Sequence, residues 1–418
     1  MLKQINNQKV MKKYFIIAAA AIVALAACSK SEIDQSSMKA RVINFNTVAN
    51  KATKAETFYG PLSGTTYTYT ANDFGVFAWY LASGDWNTSA ANSSAKDYMG
   101  TGSPLGTPVK VSFNDTKDIW VPSSTYYWPL QGKLTFIAYA PYSAATATFS
   151  NAGVLTLTGF EVNTNVAQQY DLLYSSIAAD KTANEAYYVD ETPTGTDNDK
   201  NSETKGDGDK GVTIKFKHAL AQVIFKAKTA ADVYTAGLSF KVNSITVNAA
   251  KTATSMTVTN PLDAQAAADI TTWTIPATPT KDNFLVNTVA FPNATVAAAD
   301  ANFLTNDFTT GAIGDPLLMI PLKDTAADAG DAFDATDPTM TIVYTLYRRS
   351  DAQPLGQKTV TVHFKDVDDV VKEWLAGKKY VYELTIDLEK IYFNPTVTEW
   401  VDGEIQDVDV PKDGTPAA

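Results

Sequence analysis

Apolar and polar residues alternate with a period of two along most of this chain, the pattern of strands half-buried in sheets. Ile43 and Phe45 fall on one face of a first segment with Arg41 and Thr47, while Asn44 and Asn46 fall on the other. Similar text recurs at 65–70, 74–81, 109–113, 134–139 and 154–157. In the second half it recurs at 212–228, 238–247, 317–321, 340–347 and 358–364. Within 212–228 the apolar parity runs through Ile214, Phe216, His218 and Leu220, then shifts to Val223 and Phe225. That shift predicts a bulge near Ala221-Gln222. The strongest strand comes late, with Tyr380, Tyr382, Leu384, Ile386 and Leu388 on one face and Glu383, Thr385 and Asp387 on the other. A short helix is expected over 368–376, with Gly377 as its C-cap. Helical periodicity is otherwise scarce, so the pattern predicts an all-β chain of two β-sandwich domains in tandem.

The breaks in the pattern give the organisation. The chain starts with ten residues before a second methionine, Met11, which opens a leader. Lys12 and Lys13 form a positive start, and 14–24 is an apolar run too short to span a membrane. It ends in Leu25-Ala26-Ala27-Cys28, which resembles a lipobox. That resemblance implies a signal peptide over 1–27, cleaved before Cys28, with diacylglycerol on the Cys28 sulfur. Two acyl chains at ~0.8 kcal/mol per buried methylene make a stable anchor. Positions 28–57 then read as tether, first strand and a polar loop carrying Lys51 and Lys54. A polar, Gly/Asp/Lys-rich stretch at 192–211 is the expected boundary between domains at 58–210 and 211–418. Asp197, Asp199 and Asn201 alternate there, but Ser202 and Gly208 stand where a calcium loop needs Gly and Glu.

Composition narrows the chemistry. The net charge is −11 and the chain has only three arginines, Arg41, Arg348 and Arg349, which argues against a nucleic-acid partner. A single cysteine excludes an internal disulfide, and two distant histidines, His218 and His363, leave no metal site and no cofactor to expect. Each histidine stands alone in a strand without a nucleophile beside it, so enzymatic activity is not expected. The acidic group Asp366, Asp368 and Asp369 reads as helix capping. Trp79-Tyr80 and Tyr126-Tyr127-Trp128 suit either core packing or a sugar-binding platform.

Several segments together resemble the fimbrillin family, the lipoprotein pilins of type V pili in Bacteroidales. Besides the leader they are Phe74-Gly75-Val76-Phe77-Ala78-Trp79, Tyr127-Trp128-Pro129 and Leu134 through Pro141. They continue with Phe216 through Val223, Gly377 through Tyr382, and Thr398-Glu399-Trp400. The resemblance implies two transthyretin-like, Greek-key sandwiches. It also implies an outer-membrane lipoprotein precursor that is cut after a basic residue by a trypsin-like protease and then joins a cell-surface pilus supporting adhesion. Lys54 best matches the family's cleavage position and Lys51 is second. The first strand, with Ile43 and Phe45, would leave with the lipid, and a neighbouring subunit's strand would take its place. The expected donor is the C-terminal tail, whose apolar residues are Val397, Trp400, Val401, Ile405, Val408 and Val410. Two other readings stay open: the tail simply completes its own domain, or the chain is a monomeric surface lipoprotein that binds glycan. Implied partners are other pilus subunits, the protease and a host or bacterial receptor.

Overall fold

The computed structural model describes residues 42–49, 73–114, 119–182, 211–262, 270–286, 303–308, 313–322, 337–367 and 373–400. The expectations for Arg41, for a strand at 65–70 and for the linker at 192–210 lie outside them. The first half contributes β1 (Phe45–Ala49), β2 (Phe74–Leu81), β3 (Lys96–Met99), β4 (Val109–Asn114), β5 (Ile119–Pro122), β6 (Lys133–Ala140), β7 (Thr146–Phe149), β8 (Val154–Thr158), β9 (Leu173–Ser175), β10 (Ala178–Lys181) and β11 (Val212–His218). The second half contributes β12 (Ala221–Thr229), α1 (Ala231–Thr235), β13 (Leu238–Ala250), β14 (Ser255–Thr259), β15 (Thr271–Thr274), β16 (Lys281–Val286) and β17 (Leu317–Met319). It ends with β18 (Thr339–Arg348), β19 (Gln353–His363), β20 (Lys378–Ile386) and β21 (Ile391–Glu399). The fold is nearly all β, as the alternation predicts.

Nine strands form one sheet in the order β10-β6-β9-β11-β1-β5-β4-β2-β3, and β2 also pairs with β6. The pairings therefore run round a closed circuit from β6 through β11, β1 and β5 back to β2. Closure removes the exposed edges that an open sheet leaves unpaired. Inside the circuit lies one apolar core, made by Ile43, Phe45, Phe74, Val76, Phe136, Val212, Ile214 and Phe216 among others. The opposite faces of β2 and β6 feed a second core with Phe77, Trp79, Ile137 and Tyr139. Burial on both faces explains why these two strands read as continuous apolar runs.

The second core extends into two four-stranded sheets, β17-β12-β20-β21 and β16-β13-β18-β19. Val223, Phe225, Tyr382 and Leu384 on the first and Phe240, Val247, Ile342 and Tyr344 on the second are among its buried residues. Trp374, fully buried, meets the Phe364 ring edge-on at 4.9 Å and donates its indole N–H to the Tyr382 hydroxyl at 3.0 Å. A third small sheet, β15-β14-β8-β7, joins strands from both halves of the chain.

Two expectations need correction. The segment 212–228 is two strands in two sheets: β11 ends at His218 and β12 starts at Ala221. The parity shift marks a crossing through buried Ala219 and Leu220, where no bulge is needed. Consequently residues 211–218 sit in the first sheet, between β9 and the amino-terminal strand. Of the helix expected over 368–376, residues 373–376 are not helical; Trp374 makes an isolated bridge to Leu322. Gly377 closes a turn with φ of +69°.

Burial pushes the phenols of Tyr139, Tyr174 and Tyr380 well above their ordinary value of 10.0. The unfolded chain releases these protons near pH 10 while the folded chain keeps them, so stability falls as pH rises through that value. Each retained proton contributes a slope of about −1.4 kcal/mol per pH unit. We expect the urea midpoint to fall between pH 10 and 11.5, with these three phenols silent at 295 nm until the chain unfolds.

Candidate functional site

The amino-terminal strand is a stave of the closed circuit. On one side it runs parallel to β11, with Phe45 opposite Val212 and Ala49 opposite Phe216. The Val212 amide donates to the Asn44 carbonyl at 2.8 Å. On the other side contact is thinner. Phe45 pairs antiparallel with Trp120 of β5, Val42 bridges to Tyr127, and the Ile43 amide donates to the Tyr126 carbonyl at 2.8 Å. Its wall strand β11 lies far along the chain and meets it through packing and hydrogen bonds.

Ile43 and Phe45 point into the inner core and are fully buried. The Phe45 ring meets Phe74 at 5.9 Å and Phe136 at 5.6 Å, both edge-to-face. Burying two such side chains contributes about 3–6 kcal/mol. Asn44 is buried too, at 2% exposure, and its side-chain oxygen Oδ1 has no hydrogen-bond partner among the described residues. Gly211 lies against this backbone with φ of +110°, and a Cβ there would stand 2.4 Å from the Asn44 carbonyl oxygen. The sequence signalled Ile43 and Phe45 through their alternation. Asn44 and Gly211 were missed, since only their juxtaposition gives them weight; a glycine ending a polar stretch was the one available hint.

At the other end of the chain, Val397 lies in β21 opposite Tyr380 and is 44% exposed. Trp400 follows β21 directly and is buried at 9% exposure. Its amide donates to the Gly377 carbonyl at 2.9 Å, and its ring stacks on His218 at 3.7 Å and 8°. His218 Nδ1 in turn lies 2.5 Å from Asp171 Oδ2. The residue read as an isolated histidine thus ties the root of the tail to the end of β11. Val397 pairs within the chain's own sheet, and Trp400 packs just beyond its end. Cys28, Lys51, Lys54, Val401, Ile405, Val408 and Val410 lie outside the described residues.

Of the aromatic residues considered for sugar binding, Trp79 and Trp128 are buried in the cores. Tyr80, Tyr98 and Tyr126 form a row with ring centroids 6.3 and 6.5 Å apart beside the entry of the amino-terminal strand. His363 and Asp366 are exposed. Among the described residues no three His, Cys, Asp or Glu side chains gather as metal ligands, and no helix is long and apolar enough to cross a membrane.

Comparison with known proteins places the chain in a family. The fimbrillin-like family model matches residues 68–400, and the chain belongs to that family. A fimbrial protein from Bacteroides vulgatus has a similar solved structure, with 19% identity, 86% of this chain and 100% of that one covered, and a TM-score of 0.52. Also similar are a putative cell adhesion protein from Bacteroides uniformis (15% identity, 88% and 100% covered, TM-score 0.42) and a fimbrilin from Porphyromonas gingivalis (11%, 86% and 97%, 0.39). At these identities the first of them speaks to the fold. The search of curated proteins finds no match to this chain.

Proposed function

We propose that this chain is a structural subunit of a cell-surface pilus, delivered as a lipoprotein and assembled by strand replacement. Membership of the fimbrillin-like family and the fold shared with a fimbrial protein support the pilus role. The observation that carries the mechanism is the amino-terminal strand: it supplies core residues Ile43 and Phe45 to a circuit otherwise built from residues 74–218. In this reading the chain is anchored at Cys28 in the outer membrane, and a trypsin-like protease cuts after Lys54 or Lys51. Residues up to the cut then leave, and the vacated slot takes a strand from a neighbour. In this reading the amino-terminal domain takes in β11 and runs to His218.

Because Trp400 is locked on His218, the donor begins after it, at Val401, and offers Ile405, Val408 and Val410. Such a strand regains what the first one gave: apolar burial of about 1.5–3 kcal/mol per side chain and ~0.5–1.5 kcal/mol per backbone bond.

The test uses the full chain and a form ending at Trp400. After trypsin, the full chain is expected to form ladders that survive mild detergent, whereas the shortened form stays monomeric with an unchanged melting point. Cut full-length protein that remains monomeric overturns the assembly mechanism.

A further inference from the structure

We infer that Asn44 sets how readily the resident strand leaves its slot, and that the slot favours an incoming strand with an apolar residue at that seat. The inference rests on the strand-replacement reading and adds the determinant of exchange.

The slot is enclosed on both faces. Ile43 and Phe45 are fully buried toward the inner core, and Asn44, pointing the other way between them, is 2% exposed. A strand buried on both sides is ordinarily apolar throughout. The sister staves β2 and β6, buried without a break over Phe74 through Ala78 and Leu134 through Ala140, follow that rule apart from Thr135, whose hydroxyl oxygen accepts from the Asp180 amide at 3.3 Å. Asn44 departs from it. Its Oδ1 is buried and finds no hydrogen-bond donor among the described residues, and burying such a group without a partner is costly.

The strand cannot shift to relieve this. Its backbone is pinned at the same residue, where the Asn44 carbonyl accepts from Val212 and Gly211 packs so closely that even a methyl group has no room. The mismatch is therefore fixed in the bound state and released when the strand departs. It lowers the stability of the resident strand while leaving Ile43 and Phe45 free to fill the core during folding. An occupant with an apolar residue at this seat keeps the same two anchors without the orphaned oxygen. The preferred incoming strand thus carries three successive apolar residues. The tail's own Val408-Asp409-Val410 meets the two outer seats and fails the middle one.

The test uses the non-lipidated full chain carrying Cys28→Ser and Asn50→Cys, labelled at residue 50 and cut with trypsin, so that the labelled strand is held non-covalently whether or not trypsin also cuts after Lys30, Lys39 or Arg41. Its release is followed in a urea series for wild type, Asn44→Leu, Asn44→Val and Asn44→Asp. Removing the orphaned group is expected to slow release about tenfold in the Leu and Val forms and to raise the melting point of the uncut chain. Asn44→Asp, which buries a charge, is expected to speed release. A wild-type release rate in both apolar variants, or a lowered melting point in both, overturns the inference.

A second arm separates this from the assembly mechanism. The emptied protein is offered a peptide of residues 401–418 and the same peptide with Asp409→Leu. If release follows residue 44 but neither peptide is captured, strand replacement fails and Asn44 stands as the determinant of strand seating. If both are captured equally and release ignores residue 44, strand replacement stands and this inference falls.

Discussion

Phe45→Ala is expected to destabilise the intact chain by about 3–5 kcal/mol, the range for truncating a fully buried phenylalanine. The site cannot collapse to fill the space, because Phe74 and Phe136 are themselves fixed in β2 and β6, further round the circuit, and also pack on Trp120 and Trp128. The two edge-to-face ring contacts of Phe45 add about 0.5–1.5 kcal/mol each beyond area. The measurement is urea unfolding of the intact chain. Val397→Ala, on a half-exposed strand face, is expected to change stability by less than about 0.5 kcal/mol in the same assay. Equal small losses for both would remove the first strand from the core. Since the truncation weakens the resident strand without altering the walls, the variant is also expected to capture a tail peptide faster after trypsin than wild type does.

How far such a site can be read from sequence depends on where its information lies. Ile43 and Phe45 are legible because their alternation is local and matches the pleat of a single strand. The late strand β20 is legible for the same reason, with Tyr380, Tyr382, Leu384 and Ile386 buried. The circuit that gives the first strand its meaning is not local. It depends on β11 pairing in parallel with a segment far upstream, and the sequence around Ala219 and Leu220 reads equally well as one bulged strand or as two strands in different sheets. Edge strands were missed for a related reason. The last strand, β21, carries Asn394, Pro395 and Thr396 with little burial, so its pattern stays weak although it pairs with all nine residues of β20. Trp400 was legible as an apolar tail residue, but its stacking partner His218 lies in another sheet.

Gly211→Ala is expected to close the slot to every strand, a different outcome from Phe45→Ala, which loosens one occupant and leaves the slot open. At φ of +110° an alanine pays backbone strain of about 1–3 kcal/mol. Its Cβ also stands 2.4 Å from the Asn44 carbonyl oxygen, 2.5 Å from that carbonyl carbon and 2.8 Å from the Phe45 nitrogen, and all three are main-chain atoms that cannot rotate aside. Any strand running parallel to β11 in this register presents a main chain at the same place, whatever its side chains. Hydrogen exchange is therefore expected to show loss of protection at the Val212 and Ile43 amides, which depend on the seated strand, while the Trp374 and Leu322 amides, bonded to each other's carbonyls in the distant core, keep theirs. After trypsin the variant is expected to fail to capture a tail peptide even though its slot is empty. Wild-type protection at Val212 together with normal capture would show that the strand and glycine do not approach as closely as their backbones place them, and the slot would then owe its selectivity to side chains alone.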